Sequence, residues 1–257
     1  MEHFLAENSG SIREKIVILD FGGQYSMLIA RRIREAGVYC ELLPYHTPWE
    51  EIKKINPVGI ILSGSPASVY SANAPRCDQE VYKGGVPLLG ICYGMQLLAL
   101  ELGGEVERGN RPEFGRTCFT IVEKEPLFSD AQFEDQGNHC GWMSHQDEVL
   151  TPPPGFSVLA LTENGTLAAI GDQERKIYGV QFHPEVFHTP GGNNVLKSFL
   201  FNVCNCSHNW TPSSFIDDAV KIIHQTLGKE GKVVCALSGG VDSSVVAFLL
   251  DKAVGER

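Results

Sequence analysis

The chain has 257 residues, 43% hydrophobic and 20% charged, the balance of a globular protein with room for one or two domains. Its formal net charge of −10 argues against nucleic acid as a partner, because phosphate binding needs clustered Lys and Arg. No apolar run approaches the roughly 18 residues that span a bilayer, and Met1 to Lys15 is polar and mixed, so no membrane is expected and a cytoplasmic location is.

Lys15-Ile-Val-Ile-Leu-Asp20 reads as a strand, and Phe21-Gly22-Gly23 leads into a helix over Gln24 to Ala36, closed by Gly37. Leu28, Ile29 and Ile33 share the apolar face of that helix, opposite Arg31, Arg32, Arg34 and Glu35. Val38 to Leu43 reads as a second strand, Trp49 to Ile55 as a short helix, and Val58 to Leu62 as a third strand. Strand and helix alternating at this spacing predict a parallel, doubly wound α/β sheet. Ser63-Gly64-Ser65 follows the third strand directly, a small loop able to offer backbone N–H groups to an anion.

Val86 to Ile91 reads as a buried strand and Leu97 to Leu102 as a helix stopped by Gly103-Gly104. Between them stands Gly90-x-Cys92-x-Gly94, the cysteine form of a nucleophile elbow, whose glycines permit a sharp strand-to-helix turn. A cysteine there lies at a helix N-terminus, where the dipole and free N–H groups favour the thiolate. It also lies at the carboxyl edge of the sheet, where such folds place their ligands.

From Gly104 to Ile170 short alternating runs (Thr117 to Val122, Ser157 to Leu161, Thr166 to Ile170) are separated by Pro- and Gly-rich turns, which predicts an antiparallel addition to the sheet. Gln132 to Gly141 lacks periodicity and reads as an irregular surface loop. In Gln181-Phe-His183-Pro184-Glu185 the residue before proline is pushed to extended geometry, and residues two apart then point the same way. His183 and Glu185 can therefore project together, the carboxylate fixing the tautomer of a general base. His145 and Asp147 share that spacing, and spacing leaves both pairs open as partners of Cys92.

Gly191 to Val203 reads as an amphipathic helix, and polar Asn205 to Ser214 marks a domain boundary. Eight cysteines are too sparse for a disulfide framework and most are expected as thiols. His208 follows Cys204-x-Cys206, but no second ligand pair stands at zinc spacing, and no metal site is expected. Phe215 to Leu227 reads as a helix, Lys232 to Leu237 as a strand, and Val245 to Ala253 as a last helix. The intervening Ser238-Gly239-Gly240-Val241-Asp242-Ser243-Ser244 is a strand–loop–helix arrangement suited to phosphate, though without the Lys-Ser/Thr pair of a Walker A loop.

Together these motifs resemble the GMP synthetase family of class I (triad) glutamine amidotransferases. Gly90-Ile-Cys92-Tyr93-Gly94-Met95-Gln96 is similar to the nucleophile motif of the class, and Gln181-Phe-His183-Pro184-Glu185 to its His/Glu motif. Asp20-Phe-Gly-Gly-Gln-Tyr25, Leu28-Ile-Ala-Arg-Arg32, His188-Thr-Pro-Gly-Gly192, Phe199-Leu-Phe201 and Asn209-Trp-Thr211 resemble stretches particular to GMP synthetases. Gly23 and Ser26 depart from the family's usual Ser and Thr, and Gln146 from its usual Gly.

The resemblance implies Cys92 as nucleophile, His183 as acid/base, Glu185 as its orienter, and Gly64 and Tyr93 as oxyanion-hole donors. It places Gln96, Ser144 and His145 near a bound glutamine and makes Ser238 to Ser244 an ATP pyrophosphate loop. It implies a glutaminase domain over 1–207, then a linker helix and the first βα unit of a second α/β nucleotide-binding domain over 208–257. Glutamine hydrolysis would need no cofactor. The complete enzyme would use ATP and Mg2+ to aminate xanthosine monophosphate (XMP) to GMP, with a homodimer formed through the region after Arg257. The chain is thus expected to be the glutaminase half plus a stub, unable to make GMP alone. The competing expectations are the glutaminase of another ATP-dependent amidotransferase and a non-catalytic regulatory module.

Overall fold

The computed structural model describes residues 14–124, 126–129, 139–228 and 230–255, with only the backbone of 109–112. Contacts divide them into two units, Glu14–His208 and the residues from Asn209 onward. In the first unit the strands are β1 (Lys15–Asp20), β2 (Tyr39–Pro44), β3 (Gly59–Leu62), β4 (Leu88–Ile91) and β5 (Glu105–Ile121). They are followed by β6 (His139–Thr151), β7 (Ser157–Thr162), β8 (Leu167–Asp172) and β9 (Ile177–Val180). All belong to one nine-stranded sheet ordered β2-β1-β3-β4-β9-β8-β7-β5-β6.

Strands β2, β1, β3, β4 and β9 pair in parallel, and β9, β8, β7, β5 and β6 pair antiparallel. Alternation along β1 sends Ile16 and Ile18 to one core, and Val17 and Leu19 to the other. The helices are α1 (Ser26–Glu35), α2 (Trp49–Ile55), α3 (Tyr93–Glu101) and α4 (Gly192–Ser198), the last continued by a π-helical turn over Phe199–Val203. Ile29 and Ile33 of α1 pack in the first core with Val195 and Leu196 of α4. Ile52 of α2 and Leu97 and Leu98 of α3 pack in the second. Two covered faces explain why these strands are nearly continuous apolar runs. This is the expected doubly wound α/β sheet with an antiparallel extension, but the sheet is mixed and not mostly parallel, with four parallel and four antiparallel pairings among the described residues.

Several local expectations are corrected. Helix α3 starts at Tyr93, directly after Cys92, not at Leu97. The stretch ending in Gly141 is not wholly loop: its His139–Gly141 end opens β6, while the rest lies outside the described residues. β6 escapes pattern reading because its inward positions include buried His145 and Asp147, which break the apolar alternation. Thiols persist at Cys40, Cys77, Cys92, Cys204, Cys206 and Cys235, but Cys118 and Cys140, directly opposite each other on β5 and β6, form a disulfide.

The second unit holds α5 (Pro212–Leu227) and α6 (Val241–Val254). Helix α5 begins before the expected Phe215 because Thr211 and Ser214 form a reciprocal capping box with Pro212 in the first turn. Lys232 to Leu237 is not a strand, and Val234 is 99% exposed. A strand is defined by hydrogen-bonded neighbours, and the described residues of this unit supply none. Among the described residues no helix is long and apolar enough to cross a membrane.

One close approach is where α3 meets β3. A Cβ on Gly94 would lie 2.8 Å from Leu62 Cβ and 2.9 Å from its carbonyl carbon. Gly94→Ala is therefore expected to lower stability by about 1–3 kcal/mol through overpacking, measured as a fall in the urea midpoint. An unchanged midpoint would show that α3 moves away from β3 freely.

Candidate active site

Cys92 joins β4 to α3 at φ 53 and ψ −107, a sparsely populated conformation for a residue with a Cβ. Its N–H donates to Val180 O of β9 at 2.8 Å, and its carbonyl accepts from Met95 N and Gln96 N at 3.0 and 3.1 Å. Gly90 makes the turn sterically feasible, since a Cβ there would meet Gly94 O at 2.5 Å and Met95 N at 2.7 Å. The side chain is 3% exposed, and Sγ lies 3.5 Å from the Ser144 carbonyl oxygen of β6.

His183 stands three residues beyond β9, with its N–H donating to Trp142 O at 2.9 Å. Its Nδ1 lies 2.8 Å from Glu185 Oε1, and both side chains are buried. The main chain of Glu185 is held from α1, where Arg32 Nε donates to its carbonyl at 3.0 Å. The Tyr25 ring meets the imidazole edge-on, 5.0 Å between centroids. Burial alone would lower the imidazole pKa. Hydrogen bonds to Cys92 and Glu185, with attraction to both, outweigh burial and push it up to about 10.

The rival pair is built differently. His145 Nδ1 lies 3.0 Å from the main-chain oxygen of Asp147, while the Asp147 carboxylate accepts from Val69 N at 3.1 Å. That carboxylate secures the loop after β3 and leaves the imidazole alone. The other ring nitrogen of His145 faces Glu113 Oε2 of β5 at 3.4 Å, a neighbour with no motif to announce it.

A cleft of about 430 Å³ opens here, lined by Gly64, Cys92, Gln96, Ser144, His145 and His183 among others. Gly64 faces the two reactive groups: a Cβ would sit 3.2 Å from His183 Cε1 and 3.8 Å from Cys92 Cβ. Tyr93 is the first residue of α3, where the N–H has no intrahelical acceptor. Its side chain turns away, donating to Pro75 O at 2.7 Å. Gln96 commits its amide nitrogen to Asp147 O at 2.7 Å and Gln181 Oε1 at 3.3 Å. Of the residues named from sequence for this site, Tyr93 and Glu185 are outside the cleft lining, Glu185 lying behind His183. Thr189, which bonds the His183 carbonyl, lies in the His188–Gly192 stretch, to which the sequence alone assigns no role.

In the second unit, Ser238 to Gly240 lead into α6 and Val241 to Ser244 form its first turn. Gly239 has φ 83, Gly240 N donates to Ser238 Oγ at 3.3 Å, and the Ser243 and Ser244 hydroxyls bond Gly240 O at 3.1 and 2.8 Å. The residues of this stretch are exposed apart from half-buried Ser243.

The chain as a whole is similar to known proteins. Residues 17–203 match the family described as glutamine amidotransferase class-I, and the chain belongs to that family. Residues 215–257 match the NAD synthase family. The chain is 53% identical over 248 residues to GMP synthase [glutamine-hydrolyzing] of Caldanaerobacter subterraneus subsp. tengcongensis, covering 96% of this chain and 48% of that protein. It is 49% identical over 257 residues to the Gloeobacter violaceus protein of the same name, covering 100% and 46%. The chain thus spans about half the length of the curated relatives it matches. A crystal structure of a Thermoplasma acidophilum protein, described as one subunit of a GMP synthase, superposes with TM-score 0.67 at 29% identity, covering 76% of this chain and 96% of that one.

A folded His183 pKa above the unfolded value means that the native state holds a proton the unfolded chain releases. This stabilisation is full below about pH 6.5 and is lost as pH rises toward about 10. Urea unfolding of the chain and of His183→Gln across pH 6–10 is expected to show their difference shrinking as pH rises. A difference that grows with pH would mean the imidazole is buried neutral.

Proposed function

We propose that the chain is the glutamine-hydrolysing part of a GMP synthase, with Cys92, His183 and Glu185 as its catalytic residues. The observation that carries this reading is the elbow thiol beside an imidazole whose far nitrogen is 2.8 Å from a buried carboxylate. Cys92 Sγ attacks the side-chain amide carbon of glutamine, and the oxyanion is held by the N–H groups of Gly64 and Tyr93, each worth about 3–4 kcal/mol. His183 gives its Nε2 proton to the departing ammonia, leaving a γ-glutamyl thioester on Cys92. It then takes a proton from water, which attacks the thioester and releases glutamate and the thiol. Glu185 keeps Nδ1 protonated throughout. Gln96, Ser144 and His145 hold the α-amino acid end of the substrate from α3 and β6.

The 1–207 segment is the glutaminase domain, and 208–257 is a linker helix with the start of an ATP pyrophosphatase domain. In the whole protein, a cytoplasmic enzyme of purine nucleotide synthesis, ATP with magnesium activates XMP for replacement of an oxygen by the ammonia, giving GMP. Ser238, Gly239, Gly240, Val241, Asp242, Ser243 and Ser244 would hold the ATP pyrophosphate through main-chain N–H groups and hydroxyls. The match of residues 215–257 to the NAD synthase family favours, as a second reading, an NAD-forming partner for the same glutaminase. The GMP synthase relatives cover those residues too, at about half identity.

A glutamine-analogue electrophile is expected to add once, at Cys92, by peptide mass spectrometry, and not to Cys92→Ala. His183→Ala should slow the addition by about 100-fold or more, the scale of a lost acid–base partner. Absence of labelling in the unaltered chain would favour a non-catalytic regulatory module.

A further inference from the structure

We propose that Thr189 is a positioning residue for His183, its hydroxyl fixing the backbone that aims the imidazole at Cys92. The proposal rests on the catalytic reading of Cys92 and His183. The ladder of β9 ends before His183: Gln181 N donates to Ala168 O at 2.9 Å, and beyond it the chain leaves the sheet. Something else must hold the histidine.

Two antiparallel residues ordinarily exchange both N–H···O bonds. His183 and Trp142 make only half of that exchange directly, His183 N to Trp142 O at 2.9 Å. The return bond runs through a side chain. Trp142 N donates to Thr189 Oγ1 at 2.9 Å, and Thr189 Oγ1 donates to His183 O at 2.6 Å. One hydroxyl thus completes the return bridge between the two main chains.

The loop is shaped to deliver it. Thr189 N donates to Val186 O at 3.2 Å, Gly192 N donates to Thr189 O at 3.0 Å, and a Cβ on Gly192 would lie 2.8 Å from Pro184 Cα. Thr189 is 4% exposed, and its branched side chain is stiff about χ1. Trp142 is two residues from Ser144, whose carbonyl lies 3.5 Å from Cys92 Sγ. The clamp therefore ties the imidazole to the same strand that touches the thiol. Deleting the hydroxyl removes the partner of the part-buried Trp142 N–H and of the buried His183 carbonyl, and frees the His183 backbone to shift.

The test uses the whole chain with 15N-labelled histidine, and Thr189→Val and Thr189→Ser. The Nδ1–H of His183, bonded to Glu185, should give a downfield proton resonance that Glu185→Gln removes. Thr189→Val is expected to shift or broaden that resonance and to slow iodoacetamide addition at Cys92 about tenfold, as expected for a misplaced reacting group. Exposed Cys235, mapped in the same digest, serves as the internal reference. Thr189→Ser should restore both, and Thr189→Ala replaces valine if the valine variant does not fold. An unchanged resonance and rate in folded Thr189→Val, or no rescue by serine, would overturn the proposal. If the resonance behaves as expected while the glutamine analogue never labels Cys92, positioning stands and the glutaminase reading falls.

Discussion

The site depends on one unfavourable backbone conformation. Cys92 at φ 53 costs on the order of 1–3 kcal/mol and persists only because its surroundings leave no alternative. Its N–H is bound by β9, and its carbonyl by the first turn of α3. Each such bond contributes about 1 kcal/mol net, so the anchors together are of the size of the strain. Gly90 and Gly94 then let strand and helix close to distances that a Cβ would forbid. Relaxing Cys92 would break all these contacts at once, so the thiol stays at the carboxyl edge of the sheet.

The elbow also dictates where the imidazole comes from. β9 is the parallel neighbour of β4, in register through Ile91 and Val180. The chain that leaves β9 therefore emerges at the same edge as Cys92, and a histidine a few residues on can reach the thiol without a long loop. The Val180 carbonyl that anchors Cys92 belongs to this same strand, so thiol and imidazole share one support. Glu185, two residues further, arrives from behind, and Arg32 of α1 fixes its main chain.

What was legible in the sequence follows from which interactions are local. Lys15–Asp20 and Trp49–Ile55 begin and end where periodicity and turn residues place them, because their signals lie within the segment. The elbow was legible because its glycines are required by a close approach only a few residues away. The choice between His145 and His183 was not legible from spacing, since both have a carboxylate two residues on. It turns on which carboxylate the fold diverts, and Asp147 is diverted by Val69, 78 residues distant. β6 was hidden for a related reason: a strand that lines a cleft carries polar residues where a core strand carries apolar ones. Lys232 to Leu237 failed in the opposite sense, having the composition of a buried strand with no neighbour among the described residues of its unit.

The antiparallel extension then has a physical purpose. Parallel strands β4 and β9 deliver thiol and imidazole side by side, but a substrate needs an opposing wall, and every parallel strand faces the same way. β6 supplies that wall, carrying the Ser144 carbonyl toward Cys92 and His145 into the cleft. Its polar side chains are held from the protein side: Asp147 caps Val69 N–H, its carbonyl takes Gln96, and His145 lies between that carbonyl and Glu113. Asp147 and Gln96, paired in this way, are costly to move, because a shift would leave them unpaired in a medium without water, whereas the 3.4 Å approach of His145 to Glu113 is not a hydrogen bond. The wall opposite the thiol is thus made rigid by hydrogen bonding where the wall behind it is made rigid by packing, and the cleft lies along the seam between the two.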